Sequence, residues 1–181
     1  MKLNSFEVFR KQFDLIRSRY KFYVLEGRSQ TGKSVWSSWC MGDPSNVFYV
    51  NCAHCPEPDL REFEPLVHKV ILMVEASPMM VINQKLLMQC PPQYIKLGQS
   101  GTNCHAYDVI VTGIMMFICS NSWISDVLKM GKLEDQQWIQ DNSIVANIVS
   151  NKLWHEDPPQ DFPNGGATVT VDGWELSQLG Q

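Results

Sequence analysis

Eight residues near the start of the chain have the types and spacing of a phosphate-binding loop. The pattern G-x-x-x-x-G-K-[ST] is matched at every fixed position by Gly27, Arg28, Ser29, Gln30, Thr31, Gly32, Lys33 and Ser34. The glycines let the backbone curl so that successive N–H groups point at phosphate oxygens, and the lysine adds a cation beside the β- and γ-phosphates. The hydroxyl of the last residue of the pattern, Ser34, can bind Mg²⁺. We therefore predict that this loop binds ATP, with Ser34 as the Mg²⁺ ligand.

A carboxylate follows the most apolar stretch of the chain. Val70–Val74 are five consecutive apolar residues, typical of a strand buried on both faces, and Glu75 comes next. In ATPases with such a loop, acids at this place hold Mg²⁺ or orient the attacking water. Either Glu75 orients the water and Val74 stands where the Mg²⁺-binding acid is expected, or Glu75 holds Mg²⁺ and Ala76 replaces the catalytic glutamate. We favour the first register, which makes Glu75 the catalytic base. The alternative is that Glu75 is only a solvated acid at the end of a strand.

A polar amide follows another apolar run. Met115–Cys119 reads as a third buried strand, and it is followed by Ser120 and Asn121. An amide at the tip of a strand beside the phosphate loop can hydrogen-bond both the γ-phosphate and the attacking water, and so respond to the phosphate. An asparagine that merely begins a turn is the simpler alternative. The order of the three motifs along the chain favours a sensor role for Asn121.

Strands alternate with helices around these residues. Apolar spacing predicts helices over 5–20, 33–41, 79–89 and 124–130, and strands over 21–26, 47–51, 69–74, 107–113, 114–121 and 143–149. Gly113 separates two β-rich runs and permits a hairpin. The alternation predicts an α/β domain with a mostly parallel sheet. Prolines and glycines after Trp154 predict a boundary near 155, giving a domain over 1–155 and a linker and tail over 156–181, in which 167–176 is a strand or hairpin candidate.

Composition excludes several classes of protein. The chain has 181 residues, 44% of them hydrophobic and 19% charged, with a net charge of −4, so it is neither a disordered chain nor a strongly basic nucleic-acid binder as a whole. Its apolar runs fall far short of the roughly 20 residues of a membrane-spanning helix. The start of the chain has no signal-peptide pattern, and the six cysteines are expected as reduced thiols, so we predict an intracellular, cytoplasmic or nuclear protein without membrane association.

The motifs GRSQTGKS, VILMVEAS and FICSN, in this order and spanning Gly27–Asn121, resemble the superfamily 3 helicase domain of replication-initiator (Rep) proteins of circular single-stranded DNA viruses. The resemblance implies a P-loop NTPase fold with a five-stranded sheet in the order 5-1-4-3-2, flanked by helices. It implies ATP and Mg²⁺ as cofactors, single-stranded DNA as a partner, and a homo-oligomeric ring. The segment between the second and third motifs would fall within residues 96–107, with Lys96 and His105 facing DNA.

The chain departs from this pattern at two functional points. Val74 occupies the place of the expected acid, and all five arginines end with Arg61, so an arginine finger after the third motif is not found. Only Lys129, Lys132 and Lys152 supply cations there, and lysine does not reproduce the guanidinium fork. The segment before the loop has no H-x-H motif, so no nicking endonuclease is expected. We predict a detached, partly degenerate helicase domain that hydrolyses ATP slowly or not at all.

Two functions follow. The first is an ATP-binding, helicase-like P-loop domain that acts in DNA replication or unwinding. The alternative is a catalytically impaired nucleotide-binding or interaction protein derived from a viral replication helicase.

A small-molecule kinase is disfavoured because it needs an arginine-rich lid. A zinc site from Cys52, Cys55, Cys104 and His105 is disfavoured by its spacing. Basic residues from Arg10 to Lys21 are expected to form a solvated helix face, with contact to DNA or RNA as the alternative.

Overall fold

The computed structural model describes residues 4–40, 42–53, 57–98, 104–148, 169–171 and 174–176. The predicted boundary near 155 lies outside these residues. The strands are β1 (Phe22–Gly27), β2 (Val47–Asn51), β3 (Val70–Val74), β4 (Tyr94–Leu97), β5 (Tyr107–Ile110), β6 (Met115–Ser120), β7 (Ser143–Ile148), β8 (Val169–Val171) and β9 (Trp174–Leu176). The α-helices are α1 (Asn4–Lys11), α2 (Lys33–Trp39), α3 (Pro78–Asn83), α4 (Lys85–Met88), α5 (Trp123–Leu128) and α6 (Leu133–Asn142), and two 3₁₀ turns span Gln12–Asp14 and Pro44–Asn46.

Five strands form a fully parallel sheet in the order β2-β3-β6-β1-β7. These labels differ from the expected 5-1-4-3-2 because the chain inserts two strands that lie outside this sheet, β4 and β5, between β3 and β6. Counted among the five sheet members alone and read from the β7 edge, the strands run 5-1-4-3-2. Strand β6 is the central strand and β1 lies beside it, and all six residues of each are buried.

The two faces of the sheet support two separate apolar clusters. Along β1, Phe22 and Val24 belong to one cluster, and Tyr23 and Leu25 belong to the other, as the two-residue period of a strand requires. Helices α1 and α2 cover the second face, where Phe6 packs edge-on against Trp36 with ring centroids 5.3 Å apart. Helices α3 to α6 and the β4–β5 pair contribute to the first cluster.

Several elements differ from the sequence expectation. The first helix ends at Lys11 instead of residue 20, and Ile16 is 90% exposed rather than part of an apolar face. The hairpin permitted at Gly113 does not form, because β5 pairs in antiparallel fashion with β4 while β6 enters the parallel sheet. Helix α6 was not predicted; its weak amphipathic pattern gives little sequence signal.

Strand β4 was not predicted, and the helix predicted over 79–89 is divided at Gln84 into α3 and α4. Four strands agree closely with prediction. The strand prediction over 47–51 matches β2, and those over 21–26, 69–74 and 143–149 match β1, β3 and β7 within a residue. The candidate segment 167–176 contains the antiparallel pair β8–β9. No helix among the described residues is long and apolar enough to cross a membrane.

Candidate functional site

Three neighbouring strands end at the same edge of the sheet. Strand β6 lies between β1 and β3, with Glu26 paired to Ser120 and Val74 paired to Cys119. Because all three strands run in the same direction, their carboxyl ends lie side by side. The segments that follow them, which contain the Gly27–Ser34 loop, Glu75 and Asn121, are therefore brought together although up to 94 positions separate them in sequence.

The Gly27–Ser34 loop is tightly curled. Gln30 and Gly32 both have left-handed backbone conformations, with φ values of 63° and 80°. Thr31 closes the turn by donating its hydroxyl to the Arg28 carbonyl oxygen at 2.9 Å. Alternation of left-handed and right-handed residues turns successive backbone N–H groups toward one concave side, which is the geometry of an anion-binding nest. Helix α2 begins at Lys33, directly after this turn.

The Lys33 ammonium group lies at the centre of the site. It donates to the carbonyl oxygens of Gly27 at 2.7 Å and Arg28 at 2.8 Å, and to the side-chain oxygen of Asn121 at 3.0 Å. The residue is only 8% exposed, and this burial lowers the pKa of Lys33, while the nearby Cys119 and Glu75 act in the opposite direction. These three short contacts match the three N–H donors of an ammonium group, and the Thr31 side-chain oxygen lies farther away at 3.5 Å.

Asn121 connects this lysine to the carboxylate. Its amide nitrogen donates to Glu75 Oε1 at 3.2 Å, so Lys33, Asn121 and Glu75 form one chain of hydrogen bonds. Glu75 has a left-handed backbone conformation with φ of 60°, and its backbone N–H donates to the Cys119 carbonyl oxygen at 3.0 Å. A non-glycine residue pays about 1–2 kcal/mol for this conformation. Such strain clusters at functional sites.

These residues line an open cleft with a volume of about 230 Å³, which is smaller than most small-molecule sites. Of the predicted site residues, eight line it: Ser29, Gln30, Thr31, Gly32, Lys33, Ser34, Glu75 and Asn121. Gly27 and Arg28 instead supply carbonyl oxygens to Lys33. Sequence reasoning did not select Val35 and Cys119, and it named Val74 only as the place where an acid is missing. Cys119 could have been found from its position, because it pairs with Val74 at the ends of β6 and β3, beside the predicted polar residues.

A second carboxylate lies close to the loop but outside the lining of the cleft. Glu26 is 8% exposed, and its Oε1 accepts a hydrogen bond from the Ile124 backbone N–H at 3.1 Å. Its Oε2 is buried and has no hydrogen-bond partner among the described residues. Glu26 thereby joins the end of β1 to the first turn of α5, the helix that follows Asn121.

The other candidate residues lie elsewhere. Lys96 and His105 are exposed, on β4 and just before β5, and residues 99–103 between them lie outside the described part. No group of three or more potential metal ligands occurs among the described residues; Cys55 falls outside them. Arg61 pairs with Asp59 at 2.8 Å and lies over the Tyr107 ring at 5.1 Å, so it is engaged beside β5.

Comparisons with known proteins give little further information. No protein-family model matches the chain, and no curated protein has significant sequence similarity to it. Among solved structures, the A-form apo structure of the NrS-1 C-terminal region aligns with a TM-score of 0.41 and 12% identity, covering 78% of this chain and 40% of that one. The chain thus spans less than half the length of this structural neighbour. A TM-score below 0.5 supports no conclusion about function.

Proposed function

We propose that the chain is a helicase-like P-loop domain that binds ATP with Mg²⁺ at the Gly27–Ser34 loop and takes part in DNA replication or unwinding. The observation that carries the nucleotide-binding part is the hydrogen-bonded chain from Lys33 through Asn121 to Glu75. It joins a cation, an amide and a carboxylate at one end of a curled loop. Lys33 offers a positive charge to phosphate, Asn121 offers an amide for hydrogen bonding, and Glu75 offers a carboxylate to water or a metal ion.

The residues of the cleft fit a magnesium triphosphate. The curled loop and the Lys33 ammonium group are suited to phosphate oxygens, and the Ser34 hydroxyl, which lines the cleft, is the group that would ligate Mg²⁺. The bound ion would supply charge stabilisation for the phosphates. Since Lys33 already uses three donors, a phosphate oxygen must replace at least one of its carbonyl or amide acceptors.

Glu75 and Asn121 are the groups we assign to hydrolysis. Glu75 is exposed to solvent at the cleft, so its carboxylate can accept a proton from a water and orient that water. Asn121 contacts Glu75 and Lys33 simultaneously. Any phosphate that displaces the Lys33–Asn121 contact therefore changes the surroundings of Glu75. This gives Asn121 a direct route for sensing the γ-phosphate.

The DNA part of the proposal rests on the order and compact spacing of the three motifs. The same resemblance suggests assembly into a ring. Within the described residues, the exposed Lys132 and Lys129, which pairs with Asp126 at 3.3 Å, are the cations found after Asn121. Neither supplies the bidentate fork that an arginine finger gives to a neighbouring subunit, so we expect weak hydrolysis.

A second function is favoured by one observation about the cleft. Glu75 is the only carboxylate among the residues that line it, and Val74 occupies the neighbouring position at the end of β3. A site with a single acid holds Mg²⁺ less firmly than one with two. The chain would then act as a nucleotide-binding or interaction protein that retains the fold of a viral replication helicase without unwinding DNA.

Calorimetric titration with ATP and Mg²⁺, followed by ATPase assays with and without single-stranded DNA, distinguishes the two functions. We expect Lys33→Ala to weaken ATP binding by at least about ten-fold, because a charge-assisted contact to phosphate contributes roughly 1.5–3 kcal/mol. The exposed Lys132→Ala is the matched control and should bind as the native chain does.

DNA-stimulated turnover that is lost in Lys33→Ala supports the helicase-like function, and tight ATP binding without turnover supports the second. Absence of ATP binding, or equal binding by native chain and Lys33→Ala, contradicts both.

A further inference from the structure

A compact basic turn lies at the end of the sheet opposite the cleft. It comprises residues 10–21 and carries five cations, Arg10, Lys11, Arg17, Arg19 and Lys21, against one acid, Asp14. Its net charge is therefore +4, whereas the whole chain has −4, which leaves −8 on the other 169 residues. All five cationic residues are exposed.

The turn has a defined structure. Gln12 closes it by donating its amide to the Lys21 carbonyl oxygen at 2.9 Å and accepting from the Lys21 N–H at 2.7 Å. The rings of Phe13 and Tyr20 stack inside it with centroids 4.6 Å apart and planes 6° apart. The Tyr20 hydroxyl accepts from the Arg17 N–H at 3.0 Å. The segment Leu15–Arg19 is thus presented outward on a braced support.

The turn is also fixed to the body of the protein. The Tyr20 N–H donates to the Gln89 carbonyl oxygen at 2.9 Å, and β1 begins one residue after Lys21. Five residues of β1 separate Lys21 from Gly27, and the six steps along the strand correspond to about 20 Å at roughly 3.3 Å per residue. Its cations therefore do not contribute to the cleft.

The charges of the turn are available to a partner. Among the described residues, the only ion pair made by these five cations is the one between Arg10 and Glu7, at 3.7 Å. Guanidinium groups bind phosphate through two parallel hydrogen bonds and give up their hydration more readily than ammonium groups. The acidic remainder of the chain repels a polyanion, so the turn is the place where such a partner can approach.

We infer that the basic turn is a contact surface for the phosphodiester backbone of single-stranded nucleic acid. An anionic membrane is the competing partner, since Leu15 and Ile16 are 67% and 90% exposed beside the arginines. Two aliphatic side chains contribute too little burial for a stable anchor, because even a complete myristoyl chain binds membranes only marginally. The charged side chains supply the attraction to the nucleic acid, and Leu15 and Ile16 pack against its sugars and bases.

The inference deepens the DNA part of the proposed function and is independent of the nucleotide site. Its test is fluorescence anisotropy with a labelled oligothymidine at low salt. The double variant Arg17→Glu/Arg19→Glu should lose at least about ten-fold in affinity. Lys129→Glu/Lys132→Glu, which changes the net charge equally on another exposed surface, should stay within about two-fold. ATP binding should be the same in both double variants, so failure here is distinguishable from failure of the nucleotide site.

The salt dependence gives a second measurement. Arg17→Gln/Arg19→Gln should lower the slope of log affinity against log salt by about 1.4, which is twice the roughly 0.7 expected for each single-strand phosphate contact. This neutral double variant also replaces Arg17→Glu/Arg19→Glu in the affinity measurement if circular dichroism shows that the glutamate variant does not fold. Equal losses in both glutamate variants, an unchanged slope, or binding to phosphatidylserine vesicles without binding to DNA would overturn the inference.

Discussion

At the scale of single residues, the Lys33 ammonium group explains how three distant motifs become one site. Its contacts to Gly27, Arg28 and Asn121 use oxygens from two strand ends, and Asn121 extends the chain to Glu75 on a third. Burial lowers the pKa of Lys33, which disfavours its charged form. The oxygen acceptors offset this cost, and a phosphate would offset it more strongly.

Val74 tests the role of Glu75. Its side chain lines the cleft at the end of β3, so Val74→Asp places a second carboxylate where the favoured register expects one. If Glu75 orients water, Mg²⁺-dependent hydrolysis should rise on the order of ten-fold, the effect typical of completing a metal shell. Steady-state phosphate release as a function of Mg²⁺ measures it.

Val74→Asn is the control for that substitution, because asparagine has nearly the same shape as aspartate but carries no charge. It should not increase turnover. If Val74→Asp folds by circular dichroism, binds ATP and shows no gain over Val74→Asn, the favoured register is incorrect.

The Cys40 thiol should make the protein less stable at high pH. Burial, followed by the nearby Cys119, raises the pKa of Cys40 from 9.0 to about 12. Between these values the folded chain keeps a proton that the unfolded chain has released, so stability falls as pH rises above 9. In Cys40→Ala this decline should be shallower by up to about 1.4 kcal/mol per pH unit.

Urea unfolding at several values between pH 8 and 11 measures this difference. Cys104→Ala, at an exposed position, should follow the native curve. Parallel curves for Cys40→Ala and the native chain would show that ionisation of Cys40 is not coupled to unfolding.

At the scale of elements, the β4–β5 pair depends on a close approach at the end where Leu97 pairs with Tyr107. Gly98 follows β4 with φ of +68°, and a Cβ there would lie 2.5 Å from the His105 carbonyl oxygen. The Gly98 N–H also donates to the Glu57 carboxylate, and the Tyr107 hydroxyl accepts from the Leu60 N–H at 2.7 Å. The pair is therefore held to the segment that precedes β3.

Substitution of this glycine should be more costly than substitution of a comparable one. Gly98→Ala combines a strained backbone with a backbone clash, and we expect a loss of about 2–3 kcal/mol in the free energy of unfolding. Gly113 has φ of +72° with open space around it, so Gly113→Ala should cost only about 1 kcal/mol. Urea denaturation of both variants measures the difference, and equal losses would show that the His105 carbonyl moves aside freely.

At the scale of the whole molecule, protection of the backbone should follow the strand order. Strand β6 has hydrogen-bonded neighbours on both sides and six buried residues, whereas β2 is an edge strand bonded only to β3. We expect the amides of β6 and β1 to exchange only on global unfolding, and those of β2 to exchange faster. Native-state hydrogen exchange measures this order, and slower exchange in β2 than in β6 would contradict it.

Much of the fold and of the candidate site could be predicted from the amino-acid sequence. Unbroken apolar runs such as Val70–Val74 mark the buried strands because a strand covered on both faces needs no polar residue, and glycine spacing marks the phosphate loop. Strand positions and the convergence of Glu75 and Asn121 on the loop follow from these local signals and from the rule that parallel strands share one direction. Strand β4, helix α6 and the end of α1 were not predicted, because tertiary contacts outweigh weak local patterns.

Only the tertiary structure decided the contacts between distant segments. The pairing of β5 with β4 instead of β6, the left-handed backbone of Glu75, the bond from Glu26 to α5 and the closure of the basic turn by Gln12 and Lys21 have no local signature. Each depends on which surfaces meet when the whole core forms, and the energy of one such contact is small beside the burial that determines that packing. The sequence by itself therefore determined which chemical groups stand at the strand ends, and the packed fold determined which of them touch.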